Sequence, residues 1–206
     1  KMKALLNKGT YANRSAPTFD AADMTAVAAL ADEIDGSGSY SYATNYFDNF
    51  APNNDQISTE NIFTAENRGG ESSGNVRSRW FCGLHYNQNP SGWNGFTTIA
   101  DFYDKFDAND PRIGGTDYAG MTDVSGIKVG FLIGQQKDQD GNDLKDRKDN
   151  PLAFTKDVKI KEDGGNLEVT GVRVMKYPID YNNGDNVDND YVHYRYADVL
   201  LMKAEA

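Results

Sequence analysis

Apolar residues recur at helical spacing near the start of the chain. Met2, Leu5 and Leu6 share one face, which predicts a first helix over roughly residues 1–11. A second apolar stripe predicts a helix that is capped by Thr18 or Asp20 and ends at Gly36. Its members are Met24, Val27, Ala28, Ala31 and Ile34. We therefore expect a helical hairpin over residues 1–38.

The last residues carry another helical stripe. Tyr194, Ala197, Leu201 and Ala204 recur at three- and four-residue steps, which predicts an amphipathic helix over residues 191–206. Arg195 and Asp198 are spaced to pair on its surface. No capping residue follows this helix and none precedes the first one. We therefore expect both outer helices to be truncated and the chain to be a fragment.

Between the helical ends lies a long region, residues 39–190, that reads as rich in loops. A helix is predicted over residues 98–107, where Ile99, Phe102, Tyr103 and Phe106 fall on one face. Branched residues predict strands over Ile127–Ile133 and Val172–Tyr177. A surface hairpin is predicted from Val158 to Val169 around the turn residues 163–166. Two Asp- and Asn-rich loops, Lys137–Asn150 and Asn182–Asp190, are expected to be exposed to solvent.

Two stretches resemble the signatures of one protein family. Residues 195–206 read RYADVLLMKAEA and residues 94–112 read NGFTTIADFYDKFDANDPR. Both are similar to SusD/RagB-like proteins, as are the ADEI of residues 31–34 and the ENIF of residues 60–63. The resemblance implies a mainly α fold with tetratricopeptide-like helix hairpins and a loop-rich insert containing short β-hairpins. On this interpretation, residues 39–190 are the ligand-binding insert and residues 191–206 a truncated tetratricopeptide-like helix.

The same resemblance implies a function. Members of this family are outer-membrane lipoproteins that capture nutrients at the extracellular face. We therefore expect an oligosaccharide or polysaccharide ligand, a SusC-like TonB-dependent transporter as partner, and a signal peptide and lipid anchor outside this fragment. Two alternatives stay open: a binder of peptides or other nutrients in the same fold, and a structural lid or scaffold for the transporter.

The charge balance narrows the classes of partner. The chain has 31 acidic and 21 basic residues, a formal net charge of -10, and a pI near 4.6. Nucleic-acid binding needs a basic footprint, so this balance argues against it. The sequence also lacks an apolar run long enough to span a bilayer.

The candidate ligand site lies between Asn75 and Phe96. Flat, amphipathic aromatic rings stack on the apolar face of a pyranose, and neighbouring polar groups satisfy its hydroxyls. The predicted platform is Trp80 and Trp93, with secondary contacts from Tyr86, Arg79 and Asn75. The alternative is that the tryptophans anchor the core. The next aromatic set to consider is then Tyr40, Tyr42 and Tyr46.

Metal binding and catalysis find little support. Asp138, Asp140 and Asn142 have the spacing of an EF-hand start, but Gly141 comes too early and Asp149 replaces the final glutamate. We expect these loops to be indifferent to calcium, with a calcium site of another kind as the alternative, and we predict no cofactor. Cys82 is expected to be a buried small hydrophobe. No nucleophile motif surrounds a serine or cysteine, so the prediction is a binding protein and not an enzyme.

Overall fold

A computed structural model describes residues 1–71, 74–158 and 167–206. Its α-helices are α1 (Met2–Leu6), α2 (Lys8–Ala12), α3 (Ala21–Gly36), α4 (Asn54–Ile57), α5 (Ser78–Phe81), α6 (Ala100–Tyr103), α7 (Thr122–Ser125) and α8 (Tyr196–Glu205). Short 3-10 helices span Tyr46–Phe50 and Pro111–Ile113. The strands are β1 (Asn61–Ala65), β2 (Gly114–Thr116), β3 (Val129–Leu132), β4 (Gly134–Gln135), β5 (Ala153–Phe154), β6 (Arg173–Met175) and β7 (Tyr191–Arg195).

The expectation of a mainly α fold is wrong for this chain. Helix accounts for 31% of the residues and strand for 17%, in eight short helices and three small sheets within the described ranges. Only α3 and α8 reach ten residues. Side chains of Asn45, Asp138 and Asp180 accept hydrogen bonds from nearby backbone N–H groups. Such local bonds compete with continuous helix.

Three helices near the two ends of the chain pack together. Asp20 begins α3, because its carboxylate accepts hydrogen bonds from the backbone N–H groups of Ala22 and Asp23. Val27 and Ala31 of α3 are fully buried. We call the group they form with neighbouring helices the helix cluster, and its buried members are Met2, Leu6, Val27, Ala31 and Val199.

The first predicted helix is divided in two. Asn7 separates α1 from α2, and the chain then turns back so that Thr18 lies against Gly9. A Cβ atom at Gly9 would lie 1.7 Å from the Thr18 carbonyl oxygen. Glycine, an unusual residue for a helix interior, is therefore required at this position by close backbone contact.

The main core surrounds a three-stranded antiparallel sheet of order β2-β3-β6, in which Gly130 faces Met175 and Leu132 faces Arg173. The predicted strands over Ile127–Ile133 and Val172–Tyr177 thus contain β3 and β6. We call the buried apolar residues around this sheet the central core. It includes Phe50, Trp80, Leu84, Leu132, Leu152, Phe154 and Met175.

The closing segment is half strand and half helix. Residues 191–195 form β7, which pairs antiparallel with β1 in a two-stranded ribbon, and α8 begins only at Tyr196. The buried face of α8 carries Tyr196 and Val199, whereas Leu201, on the predicted stripe, is 67% exposed. The helix predicted over 191–206 therefore began too early, because residues 191–195 pair with β1 as a strand. The prediction also assigned the buried face of the helix to the wrong residues.

The helix predicted over 98–107 is also shorter, since α6 spans only Ala100–Tyr103. Thr98 instead exchanges two backbone hydrogen bonds with Val172, which holds the start of the segment extended. Phe102, Tyr103 and Phe106 gather around Phe131 of β3 with ring centroids 5.1–6.3 Å from it. The aromatic residues thus share one partner without a continuous helix.

The two acidic loops differ in exposure. The segment 182–190 was expected to be exposed, yet Val187 and Asn189 are fully buried and Asp190 is nearly so. Asn189 donates to the carbonyl oxygens of Phe50 and Pro178, so this loop is tied into the interior. The turn of the predicted hairpin, residues 159–166, lies outside the described residues. Among the described helices, none is both long and apolar enough to cross a membrane.

Candidate functional site

Trp80 lies in the central core and not in a binding surface. It sits on α5 and is 2% exposed. Its indole faces are covered by protein, so a sugar ring cannot stack on them. The prediction of Trp80 as half of a stacking platform is therefore wrong, and the alternative of a core anchor applies to this residue.

Trp93 is presented at the surface. Its side chain is 63% exposed, and its indole meets the Phe81 ring edge-on at 5.1 Å between centroids. The Arg77 guanidinium covers Phe81 at 3.7 Å from the ring centroid. Arg77 in turn pairs with Asp185 at 3.0 Å. This stack holds the indole from one side and leaves much of it open.

The loop that carries Trp93 is fixed through its backbone. Trp93 N–H donates to the Phe81 carbonyl at 2.9 Å and Asn94 N–H to the Leu84 carbonyl at 2.8 Å. A Cβ atom at Gly92 would lie 2.3 Å from the Leu84 carbonyl oxygen, so the loop lies directly on α5 and the turn after it. Trp93 is thus an exposed aromatic side chain on a preorganised backbone.

Tyr86 stands beside a charged network. The Arg147 guanidinium lies 4.1 Å from the Tyr86 ring centroid and its Nε donates to Glu168 at 2.7 Å. Glu168 also accepts from His85 Nε2 at 3.0 Å. His85 Nδ1 accepts from the Asn87 backbone N–H, so Nε2 carries the proton. Tyr86 is 36% exposed, and Arg147 covers part of its face.

The network shifts the pKa values of Glu168 and His85, and the hydrogen bond to Glu168 raises the pKa of Arg147. The hydrogen bonds from the Arg147 side chain lower the pKa of Glu168 to about 2. Burial lowers the pKa of His85, although the neighbouring Glu168 carboxylate opposes that shift. At neutral pH the site therefore holds an ionised Glu168 and a neutral His85.

The other predicted contacts lie on the α5 side. Arg79 is exposed, and its guanidinium lies 4.9 Å from the Tyr191 ring centroid. With Phe96 and Cys82 it lines a cavity of about 450 Å³. Cys82 is half-buried and free, so the expected full burial is not found. Asn75 adopts φ 65°, and its carbonyl accepts from Ser78 at the start of α5.

A larger groove, about 960 Å³, runs between residues 42–47, residues 108–116 and α8. Tyr42 and Tyr46 line it, as do Arg112 and Arg195. Sequence reasoning named Tyr42 and Tyr46 only as a second choice and missed the two arginines. The predicted surface pair of Arg195 with Asp198 is wrong: the Arg195 guanidinium bonds the buried Glu60 carboxylate at 3.0 Å, and Asp198 accepts from the Arg195 backbone N–H at 2.7 Å.

The EF-hand-like loop uses its carboxylate internally. Asp138 accepts hydrogen bonds from the backbone N–H groups of Asp140 and Asn142 and from the Asn142 side chain. These bonds, the Asn142 side chain foremost, lower the pKa of Asp138. No cluster of three His, Cys, Asp or Glu side chains suited to a metal occurs among residues 1–71, 74–158 and 167–206.

Comparison with known proteins identifies the family to which the chain belongs. An exposed aromatic ring on an ordered backbone, such as Trp93, can stack on a flat ligand such as a sugar ring. The model of the SusD family matches residues 29–206, and the chain belongs to that family. Proteins of this family are nutrient- or glycan-binding surface proteins. A comparison with curated protein sequences finds no match.

Proposed function

We propose that this chain is part of a cell-surface protein that captures oligosaccharides and delivers them to a SusC-like, TonB-dependent transporter. In this proposal, the full-length protein is held by a lipid anchor at the extracellular face of the outer membrane and binds sugar without turning it over. Membership of the SusD family supports the proposal at the level of class. The observation that carries it is Trp93, 63% exposed on a loop whose backbone is fixed on both sides.

The proposed contact surface is centred on the open face of Trp93. Stacking on a pyranose uses the apolar C–H groups of the sugar and requires no reorganisation of a loop that is already ordered. Tyr86, Arg79 and Asn75 remain proposed secondary contacts, since each is exposed and lies within residues 75–96. Trp80 supports this segment from inside the core.

The test is calorimetric titration with oligosaccharides selected on a glycan array. Trp93→Ala should weaken binding by about 1–3 kcal/mol while the protein stays folded. Phe19→Ala is the matched control, because Phe19 is a similarly exposed aromatic residue, 59% exposed, that lies before the segment matching the family. It should leave affinity unchanged.

Trp80→Ala separates binding from folding. Removing this buried indole should cost about 3–5 kcal/mol of stability, which a urea denaturation curve measures. Full affinity in a folded Trp93→Ala protein would refute the proposed surface. Absence of binding to any oligosaccharide on the array would refute the proposed function itself.

A further inference from the structure

The ribbon of β1 and β7 carries a row of aromatic rings on its surface. Tyr191 and His193 alternate along β7 and so point to the same face, with ring centroids 5.0 Å apart. The Phe63 ring of β1 stacks beside His193 at 5.2 Å, with 27° between the planes. We call Tyr191, His193 and Phe63 the aromatic ladder.

The ladder runs from the interior to the solvent. Tyr191 stacks on the buried Tyr177 ring, with 11° between their planes, and Tyr177 Oη accepts from the backbone N–H of Val192. Tyr191 itself is half-buried, His193 is exposed, and Phe63 is 56% exposed. The inner end is therefore anchored in the central core while the outer end offers open ring surface.

Two cations border the inner end of the ladder. The Arg79 guanidinium lies 4.9 Å from the Tyr191 centroid. The Lys176 ammonium lies 4.4 Å from the Phe50 centroid, beside Tyr177 in the chain. Neither cation forms an ion pair with any residue in the described part of the chain.

The two cations lie close enough to influence each other. Partial burial lowers the pKa of the Lys176 ammonium, and the positive charges of Arg195 and Arg79 lower it further, against the opposing effect of Asp198. The acidic groups nearest in sequence to the ladder are already engaged. Asp190 is buried and accepts from Thr64 and Asn67, and Glu66 pairs with Arg68.

We propose that the aromatic ladder, with Arg79 and Lys176 at its inner end, is a second carbohydrate site that binds a carboxylate-bearing oligosaccharide, such as a uronic-acid oligomer. This inference rests on the proposed function, in that the chain binds oligosaccharides. The stacked Phe63 and His193 rings leave exposed ring surface at the outer end, on which a pyranose unit can pack. The Arg79 guanidinium, 4.9 Å from the Tyr191 ring centroid and without an ion pair in the described part of the chain, has N–H groups that can bond both oxygens of a carboxylate. In a chain of net charge -10, two cations that form no ion pair among the described residues favour an anionic sugar over a neutral one.

The experiment compares oligogalacturonide with its fully methyl-esterified form, titrated into the native chain at low salt. The two ligands share rings and linkages and differ in charge. The acidic form should bind about tenfold more tightly or better, and added salt should reduce that difference. Arg79→Gln and Lys176→Gln should each shrink the difference. Lys148→Gln, which removes one exposed charge in the 137–150 loop, should not.

Removing ring surface tests the ladder itself. Phe63→Ala and, as an independent variant, His193→Ala should weaken binding of the acidic form in proteins that melt like the native chain. Trp93→Ala should leave that binding in place, and this variant separates the ladder from the Trp93 surface, because Arg79 is assigned to both. Equal affinity for the two forms, or equal loss in the Lys148 control, would overturn the inference.

The two proposals fail in different ways. A native chain that binds only neutral oligosaccharide, and loses it in Trp93→Ala, refutes the second site and keeps the proposed function. A chain that binds no oligosaccharide of either kind refutes both.

Discussion

At the scale of single residues, two glycines in helices show how context reverses a propensity. Gly9 in α2 touches the backbone of Thr18, whereas Gly36 at the end of α3 has no atom within 4 Å of the position a Cβ would occupy. Alanine is normally the better helix residue by about 1 kcal/mol. Alanine can therefore stabilise the helix at Gly36, whereas at Gly9 its methyl group would overlap with the backbone of Thr18.

We expect Gly9→Ala to destabilise the chain by about 1–3 kcal/mol, since the turn at residues 13–18 must move to admit a methyl group. Gly36→Ala should instead stabilise it by about 0.4–1 kcal/mol. Urea denaturation of both variants measures the difference. Stabilisation by Gly9→Ala would show that the turn does not lie against α2.

Glu168 should contribute to the acid sensitivity of the fold. Its pKa is held at about 2 in the folded chain, foremost by hydrogen bonds from Arg147, against an ordinary value of 4.5. A carboxyl group whose folded pKa is depressed stabilises the fold above its unfolded pKa and loses that contribution as the pH falls. The loss should therefore run from about pH 4.5 down to about pH 2.

The Glu168→Gln variant tests this dependence. Denaturation midpoints measured between neutral pH and acid should fall more steeply in the native chain than in the variant, and only below about pH 4.5. His85 acts in the same direction at higher pH, because its lowered pKa makes protonation costly once the pH drops below its ordinary 6.5. That upper window should appear in both proteins and should be wider in the variant, because Glu168→Gln removes the carboxylate that opposes the lowering of the His85 pKa. Parallel curves below pH 4.5 would contradict the role of Glu168.

At the scale of elements, the junction of β7 and α8 is fixed by the contacts of Arg195. The Arg195 side chain reaches back to Glu60, just before β1, and its guanidinium lies 5.4 Å from the Tyr46 centroid. Glu60 also accepts from Asn49 and from the Ala43 backbone N–H. One carboxylate therefore connects the strand ribbon, the 3-10 helix and the chain leading into it.

A double-mutant cycle should find Arg195 coupled to Glu60 and not to Asp198. With Glu60→Ala and Arg195→Ala we expect a coupling free energy of about 1–3 kcal/mol, because both groups are largely buried. Either single change should cost about 3–5 kcal/mol, since it leaves a buried charge unpaired. Coupling between Arg195 and Asp198 should be within about 0.5 kcal/mol of zero, since Asp198 bonds the backbone of Arg195. A larger coupling free energy of Arg195 with Asp198 than with Glu60 would support the predicted surface pair instead.

Elements were predictable where the pattern was local. The cap at Asp20, the helix through Val27 and Ala31, and strands within Ile127–Ile133 and Val172–Tyr177 all follow from neighbouring residues. The β7 strand was missed because its reason for being extended, pairing with β1, lies more than a hundred residues away. Trp80 and Trp93 likewise share an aromatic, polar context in sequence, and only packing separates a core anchor from an exposed ring.

The closure of two successive loops between Gln136 and Leu152 was also not predictable from the sequence. Gln136, Leu144 and Leu152 recur every eight residues, and their backbones bond in a closed ring: Leu144 N–H to Gln136, Leu152 N–H to Leu144, and Gln136 N–H to Leu152. Asp138 and Asp146 each close the intervening loop by accepting from an asparagine four residues on. The acidic residues here serve as turn closures, which sequence spacing alone could not distinguish from calcium ligands.

At the scale of the whole molecule, the chain has two apolar cores joined by a ribbon. Ile62 of β1 packs against the helix cluster, while Tyr191 and Val192 of β7 pack against the central core. Residues 1–28 precede the segment that matches the family, yet Met2 and Leu6 complete the helix cluster. The ribbon, which also carries the aromatic ladder, is thus held from both sides.

The smaller core should open first. Among the described residues, the helix cluster has five buried members and the central core fifteen. The helix cluster therefore buries less apolar surface and should exchange its amide hydrogens at lower free energy. Leu6→Ala should cost about 2–5 kcal/mol and lower protection in α1, α3 and α8 while sparing β3 and β6. Leu152→Ala is the control from the central core, and it should lower protection in β3 and β6 as well. Native-state hydrogen exchange distinguishes the two patterns. If both variants lower the protection of every amide equally, the two cores unfold as one cooperative unit that includes the ribbon.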